Sequence, residues 1–124
     1  MFRLVLIALL AVLAPPIKAE TWPSRPLTMV VPFATGGPMD AVARILQSAL
    51  SDALQQQVIV ENVGGAGGMI GAARVAKAAS DGYQFVLGNV GTHAVSQSLY
   101  KTPFYNSMTD FTPVVLIEIG RAHV

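Results

Sequence analysis

The sequence contains no cysteine, and this absence excludes two classes of exported protein. It excludes small domains held together by disulfide bridges, and also a lipoprotein, whose anchor needs a cysteine at the cleavage site. Charged residues are scarce at 12% of the chain, and the 8 basic residues are scattered without forming a cluster. Proteins that bind nucleic acid usually carry a basic patch that neutralises phosphates, so we expect no nucleic-acid partner.

Long apolar runs are also missing, except for residues 4–14, which follow Arg3. A helix of that length rises only about 1.5 Å per residue and cannot cross a hydrocarbon core of roughly 30 Å. A pair of prolines and the small residue Ala19 follow the run, which is typical of a secretory signal peptide. The sequence therefore predicts a signal peptide over residues 1–19, cleaved near Ala19, and a periplasmic mature protein.

Beyond this segment, short β-rich runs alternate with helical patterns. The predicted strands are Leu27–Val31, Val58–Val60, Tyr83–Leu87 and Val114–Ile117. The predicted helices are Pro38–Leu54 and Met69–Ala79, and Val90–Tyr100 is predicted as a loop leading into a short helix. The apolar residues predicted to line one face of the first helix are Val42, Ile45, Leu46, Ala49, Leu50 and Leu54. Such alternation is typical of an α/β fold with a parallel sheet flanked by helices.

Two loops of this pattern are suited to bind an anion, because parallel sheets hold ligands at the carboxyl ends of their strands. Phe33–Gly37 runs straight into a helix N-terminus, where glycine permits close backbone approach and the helix dipole favours negative charge. Gly88–Ala94 offers amide, hydroxyl and imidazole donors. The alternatives are that the first loop is only a strand–helix turn and that His93 is a capping or packing residue.

A third glycine loop, Gly65–Gly71, follows a predicted strand and opens a helix, as a dinucleotide-binding loop would. Its spacing is G-x-G-x-x-x-G, however, because Ile70 occupies the place of the third glycine. Asp81 lies in a turn before the next strand, where it would not hold a ribose. A nucleotide-dependent α/β enzyme is one alternative, and close packing of the following helix is the other explanation of these glycines.

The segment Trp22–Leu27 followed by Val30–Asp40 resembles the opening of the tripartite tricarboxylate transporter receptor family, also called the Bug family. Further matches follow in one register: Val60–Asn62, Gly65–Gly68, Ala76–Ala78, Asp81–Tyr83, Gly91–Ala94, Leu99–Tyr100 and Asp110–Val114. The chain departs from the family pattern at Val63–Gly64 and at Thr35, and no loop glycine is lost there. The departures therefore leave the expected fold unchanged and bear only on fine specificity.

This resemblance implies a two-lobed, type II periplasmic binding protein-like fold, of which residues 20–117 would form an incomplete first lobe. It implies a monomeric receptor that binds a small organic carboxylate and delivers it to membrane permease subunits. It implies no cofactor and no metal. The ligand-binding residues carried over from the family are Phe33, Ala34, Thr35, Gly36, Gly37, Asp40, Asn89, Thr92, His93 and Ala94.

We expect no catalytic residues, because the sequence shows no metal-ligand spacing and no nucleophile beside an evident base. An exported solute sensor that acts through a signalling receptor remains the alternative to a transport receptor. Residues 118–124 leave the family pattern and read as the translation of a common short-read sequencing adapter. We expect this tail to be a processing artefact, so Arg121 and His123 carry no functional weight.

Overall fold

The computed structural model describes residues 21–117, so the predicted signal peptide at 1–19 and the tail at 118–124 lie outside the described residues. Its strands are β1 (Leu27–Val31), β2 (Val58–Asn62) and β3 (Gln84–Val86), and its helices are α1 (Pro38–Leu54), α2 (Met69–Ala76) and α3 (Ser96–Leu99). A 3-10 turn at Ala66–Gly68 precedes α2, and a π-helical turn at Gly91–Val95 precedes α3. None of the helices in this part of the chain has the length and apolar character needed to cross a bilayer.

The three strands form one parallel sheet in the order β2-β1-β3. Leu27 pairs with Val58 on one side of β1, and Met29 pairs with Phe85 on the other side. The connection from β1 to β2 and the connection from β2 to β3 cross the sheet in opposite directions. Because such crossovers are almost always right-handed, the two helices that make them lie on opposite faces of the sheet. The predicted α/β fold with a parallel sheet flanked by helices is confirmed.

The core confirms this arrangement, because alternate residues of a strand point to opposite faces. Leu27, Met29 and Val31 form one buried cluster with Ala43 of α1 and Val58 of β2. A second buried cluster consists of Met69, Ala72, Ala73 and Tyr105, with Val86 packed against it. The β1 strand is therefore covered on both faces, which explains why its sequence is an almost continuous apolar run.

Helix α1 has the predicted bounds, but three residues predicted on its buried face, Val42, Ile45 and Ala49, are not among those packed against the sheet. Ile45 is 73% exposed and Ala49 is exposed as well. The α1 residues that contact the sheet are Met39, Ala43, Leu46, Leu50 and Leu54. Each residue turns a helix by about 100°, so a face that begins at Met39 and Ala43 places Ile45 on the solvent side.

Two further predictions from the sequence are wrong. Val114–Ile117 forms no strand within the described residues, and Val114 is 89% exposed. An extended segment becomes a strand only when a neighbour supplies hydrogen-bond partners, and neither β2 nor β3 pairs with this one. The short helix predicted within Val90–Tyr100 is present as α3, but the predicted loop before it is not, because helical structure already begins with the turn at Gly91–Val95.

Candidate functional site

The loops that follow β1, β2 and β3 meet at one edge of the sheet, because the strands are parallel. Gly68 lies where they meet, and it is buried. A Cβ atom at this position would lie 2.6 Å from Cγ2 of Thr92 and 3.4 Å from Cζ of Phe33. The structure therefore brings together the two loops that the sequence predicts as anion-binding, with the third glycine loop between them.

Asp40 fixes the first loop from the first turn of α1. Its side chain is 4% exposed, and its Oδ2 accepts hydrogen bonds from the Gly36 N–H at 2.9 Å and from Nε of Arg44 at 3.0 Å. The hydrogen bond from Arg44 and the one from Gly36 lower the pKa of Asp40 to about 2. The Gly36 N–H thus donates to a side chain of the protein rather than to a ligand. Because Arg44 pairs with the Asp40 carboxylate, Asp40 holds the loop without an uncompensated negative charge.

This ion pair predicts a pH dependence of stability. The pKa of Asp40 is about 2 in the fold and about 3.9 in an unfolded chain. The ionised carboxylate therefore stabilises the fold fully above the unfolded value, and that contribution is lost as the pH falls towards 2. In Asp40→Asn we expect the acid-induced loss of stability in this window to be smaller than in the wild type, as measured by urea unfolding at a series of pH values. If the free energy of unfolding falls with pH equally in the two proteins, the lowered pKa of Asp40 would be contradicted.

The remainder of the first loop is held by β2 and the segment after it. The side-chain amide of Asn62 donates a hydrogen bond to the carbonyl oxygen of Phe33 at 3.2 Å. Gly64 lies beside Ala34, since a Cβ there would be 3.7 Å from the Ala34 nitrogen. Ala34 and Thr35 are exposed, whereas Gly37 is the N-cap of α1. The exposed part of this loop therefore lies at the positive end of a helix of 17 residues.

The second loop is closed by hydrogen bonds between Asn89 and Thr92. The Asn89 N–H donates to Oγ1 of Thr92 at 3.0 Å, and the Thr92 N–H donates to Oδ1 of Asn89 at 3.1 Å. Oγ1 of Thr92 also lies 2.8 Å from Nδ1 of His93. Thr92 is fully buried, so its hydroxyl and Nδ1 of His93 form hydrogen bonds within the loop rather than with a ligand. Asn89 is exposed, and its amide nitrogen takes no part in these bonds.

His93 packs among aromatic rings, with centroid distances of 4.9 Å to Phe111 and 6.2 Å to Tyr105. Burial lowers the pKa of His93 below its ordinary value, so the imidazole is neutral at pH 7. The packing role that the sequence left open for this histidine is thus present in the structure.

Ala94 is exposed and lines a surface depression with Val95, Ser98 and Leu99, and none of the other predicted site residues lines it.

Three residues that position the site were not singled out from the sequence as site residues: Asn62, Gly68 and Tyr105. The Tyr105 hydroxyl and Oγ of Ser96 both donate to the carbonyl oxygen of Thr92, which fixes the π-helical turn. Asn62 could have been found, because it is the last residue of β2 at the carboxyl edge. No pattern in the sequence indicates that Tyr105 reaches Thr92.

The glycines of the third loop serve close packing. Gly71 approaches Pro32, and Gly65 approaches the side chain of Ile70. This use of the glycines agrees with the packing explanation and lends the nucleotide alternative no support. Within residues 21–117, no group of three or more His, Cys, Asp or Glu side chains could hold a metal ion.

A model of the tripartite tricarboxylate transporter family receptor, TctC, matches residues 42–122. The chain belongs to this family. A relative from Agrobacterium vitis, encoded in the ttuE-ttuC' intergenic region, is 49% identical over 98 residues, which are 79% of this chain and 28% of that protein. This receptor-family chain therefore spans less than a third of the length of that relative.

Solved structures resemble the chain over a similar extent. The periplasmic binding protein BugD is 50% identical, with a TM-score of 0.72 over 74% of this chain and 30% of that one. MatC from Rhodopseudomonas palustris, solved with bound malate, is 45% identical, with a TM-score of 0.72 over 75% of this chain and 32% of that one. The resemblance to the Bug family is thus confirmed.

Proposed function

We propose that the full-length protein binds a small organic carboxylate in the periplasm and delivers it to membrane permease subunits. The observation that carries this proposal is the meeting of the β1 and β3 loops at Gly68, against which both Phe33 and Thr92 lie. The connections from β1 to β2 and from β2 to β3 also run in opposite directions across the sheet, so the order of the strands reverses beside β1. Ligands of α/β proteins bind in the crevice at such a point.

The polar groups at this edge suit an anion that must later be released. The exposed residues Ala34 and Thr35 precede the N-terminus of α1, whose first N–H groups have no acceptor within the helix. The nearby Arg44 is already paired with Asp40. Backbone amides and ordered water can hold a carboxylate without a desolvated arginine pair, and such binding permits release. The malate bound to MatC supports a dicarboxylate as the class of ligand.

The proposal includes the organisation of the chain. Residues 1–19 are a signal peptide cleaved near Ala19, and residues 20–117 are part of the first lobe of a two-lobed, monomeric receptor. Exposed apolar side chains in the described residues, including Met108, Val114 and Leu116, support the idea that further protein covers this surface. We therefore assign carboxylate binding to the full-length protein.

Thermal unfolding of the full-length gene product with malate and related di- and tricarboxylates tests the ligand class. A carboxylate at about 100 times its Kd should stabilise the protein by about 2.7 kcal/mol, which raises the Tm by roughly 4 °C in a protein of about 350 residues, the length of the Agrobacterium vitis relative. The uncharged diamide of malate is the matched ligand control and should leave the Tm unchanged. If the diamide produces the same rise, or if none of the carboxylates produces one, the proposal is wrong.

A charge placed in the first loop tests the site itself. Thr35→Asp puts a like charge beside the proposed carboxylate, so we expect affinity to fall by about tenfold or more. Thr102→Asp is the matched control, because Thr102 is also exposed and lies outside the two loops. Isothermal titration with malate should therefore distinguish the two variants, and equal affinities would place the ligand elsewhere.

A further inference from the structure

We propose that Gly68 is a positioning residue that sets the separation of the first and second loops, Phe33–Gly37 and Gly88–Ala94. We refer to them as the two ligand loops, and their separation would set the affinity for the carboxylate. This inference rests on the proposed function. Gly68 has φ 91° and ψ −4°, and a Cβ there would lie 2.6 Å from Cγ2 of Thr92 and 3.1 Å from the Pro32 carbonyl oxygen. Both distances are too short for a carbon atom to be added without movement of a neighbour.

The segment that carries Gly68 cannot retreat easily. Gly65, Ala66, Gly67 and Gly68 all have positive φ, at 120°, 47°, 65° and 91°. The Gly68 N–H also donates to the Gly65 carbonyl oxygen at 2.9 Å. The next residue, Met69, is fully buried in the cluster beneath α2. A larger residue at position 68 would therefore displace Thr92 and Pro32 rather than its own segment.

Displacement of these two neighbours would reach both ligand loops. Thr92 is bonded to Asn89 through three hydrogen bonds and to the imidazole of His93, so the second loop would move with it. Pro32 directly precedes Phe33, so the first loop would move as well. The absence of a side chain at Gly68 is thus what allows the two loops to approach each other at the distance seen.

The first experiment compares malate affinity in Gly68→Ala and Gly82→Ala variants of the full-length protein. Gly82 is the matched control, since it has φ 79° and a Cβ there would lie 3.4 Å from the Trp22 ring, an ordinary contact. Both substitutions place alanine in the left-handed region, so both reduce stability. We expect Gly68→Ala to weaken malate binding by about tenfold and Gly82→Ala to leave it unchanged. Equal affinities in the two variants would overturn the proposal.

The second experiment tests whether Thr92 transmits the effect. Thr92→Ser removes the Cγ2 atom that the new Cβ would meet and retains Oγ1 with its hydrogen bonds. In the Thr92→Ser background, we therefore expect Gly68→Ala to cost much less affinity than in the wild type. If Gly68→Ala alone does not fold, the double variant is compared with Thr92→Ser. An undiminished loss of affinity in the double variant would overturn the proposal.

A ligand-free measurement separates this inference from the proposed function. Nδ1 of His93 lies 2.8 Å from Oγ1 of Thr92, so the imidazole NMR signals of His93 report the position of Thr92. We expect these signals to shift in Gly68→Ala and not in Gly82→Ala, with or without a ligand. If the wild type binds no carboxylate, the proposed function fails, and the His93 signals still decide whether Gly68 positions the loop. Unshifted signals in Gly68→Ala would overturn the inference even if malate binds the wild type.

Discussion

Gly71→Ala is expected to destabilise the folded protein by about 3 kcal/mol, the upper part of the range for overpacked sites. Gly71 lies within α2, where alanine is intrinsically preferred to glycine by about 1 kcal/mol. A Cβ at this position, however, would lie 2.9 Å from Cα of Pro32 and closer still to the Val63 carbonyl oxygen. Both neighbours are backbone atoms of loops fixed to the sheet, so the steric cost exceeds the gain in helix propensity.

Urea unfolding of the full-length protein measures this effect, and Gly64→Ala is its matched control. Gly64 belongs to the same glycine-rich segment, and a Cβ there would meet its nearest atom at 3.7 Å, an ordinary contact. We therefore expect Gly64→Ala to change stability by less than about 1 kcal/mol. Should Gly71→Ala prove as stable as the wild type, the close approach of α2 to Pro32 would be wrong.

Thr92→Val is expected to destabilise the protein by about 2 kcal/mol, because it removes the Oγ1 partner of the Asn89 N–H and of Nδ1 of His93. Valine has nearly the shape of threonine but lacks Oγ1, which accepts the Asn89 N–H and lies beside Nδ1 of His93. Since Thr92 is fully buried, water cannot replace the lost partner without a rearrangement. Between Asn89 and Thr92 the loop would then keep only the hydrogen bond from the Thr92 N–H to Oδ1 of Asn89, and we expect malate affinity to fall by about tenfold.

Two measurements separate the parts of this second prediction. Urea unfolding gives the stability change, and isothermal titration with malate gives the affinity change. Thr92→Ser keeps Oγ1 and loses one methyl group, so its stability should fall by only about 1 kcal/mol. If the valine variant keeps the stability of the wild type while the serine variant loses it, packing of Cγ2 rather than hydrogen bonding of Oγ1 accounts for the role of Thr92.

The fold could be predicted from the sequence wherever local patterns decide the structure. The apolar run of β1 and the helical spacing of α1 identified both elements, because a buried strand and an amphipathic helix each impose their own periodicity. The run Val114–Ile117 shows the limit of such reasoning. It has the composition of a strand, but a ladder also needs a partner strand, and local composition does not reveal one.

The candidate site was predictable at the level of loops and not of individual atoms. Glycine-rich loops after strands indicated that they would meet at one edge of the sheet, and the structure brings them together there because parallel strands end together. The sequence did not show that the Thr92 hydroxyl hydrogen-bonds to Asn89 and His93, because these bonds depend on the backbone path of one turn. It also did not show that Gly68 lies against Thr92, because this contact follows from the position of β3 beside β1.

The central strand of the sheet, β1, is the first of the three to be synthesised, and its partner strands follow much later in the chain. Both neighbours of β1 lie far along the chain, with Leu27 paired to Val58 and Thr28 paired to Gln84. Neither ladder can begin as a hairpin, so each requires closure of a long loop, and such topologies fold slowly. Met29 and Val30 stay exposed until that closure. If the polypeptide is exported as we propose, slow folding keeps the chain unfolded until it has crossed the membrane.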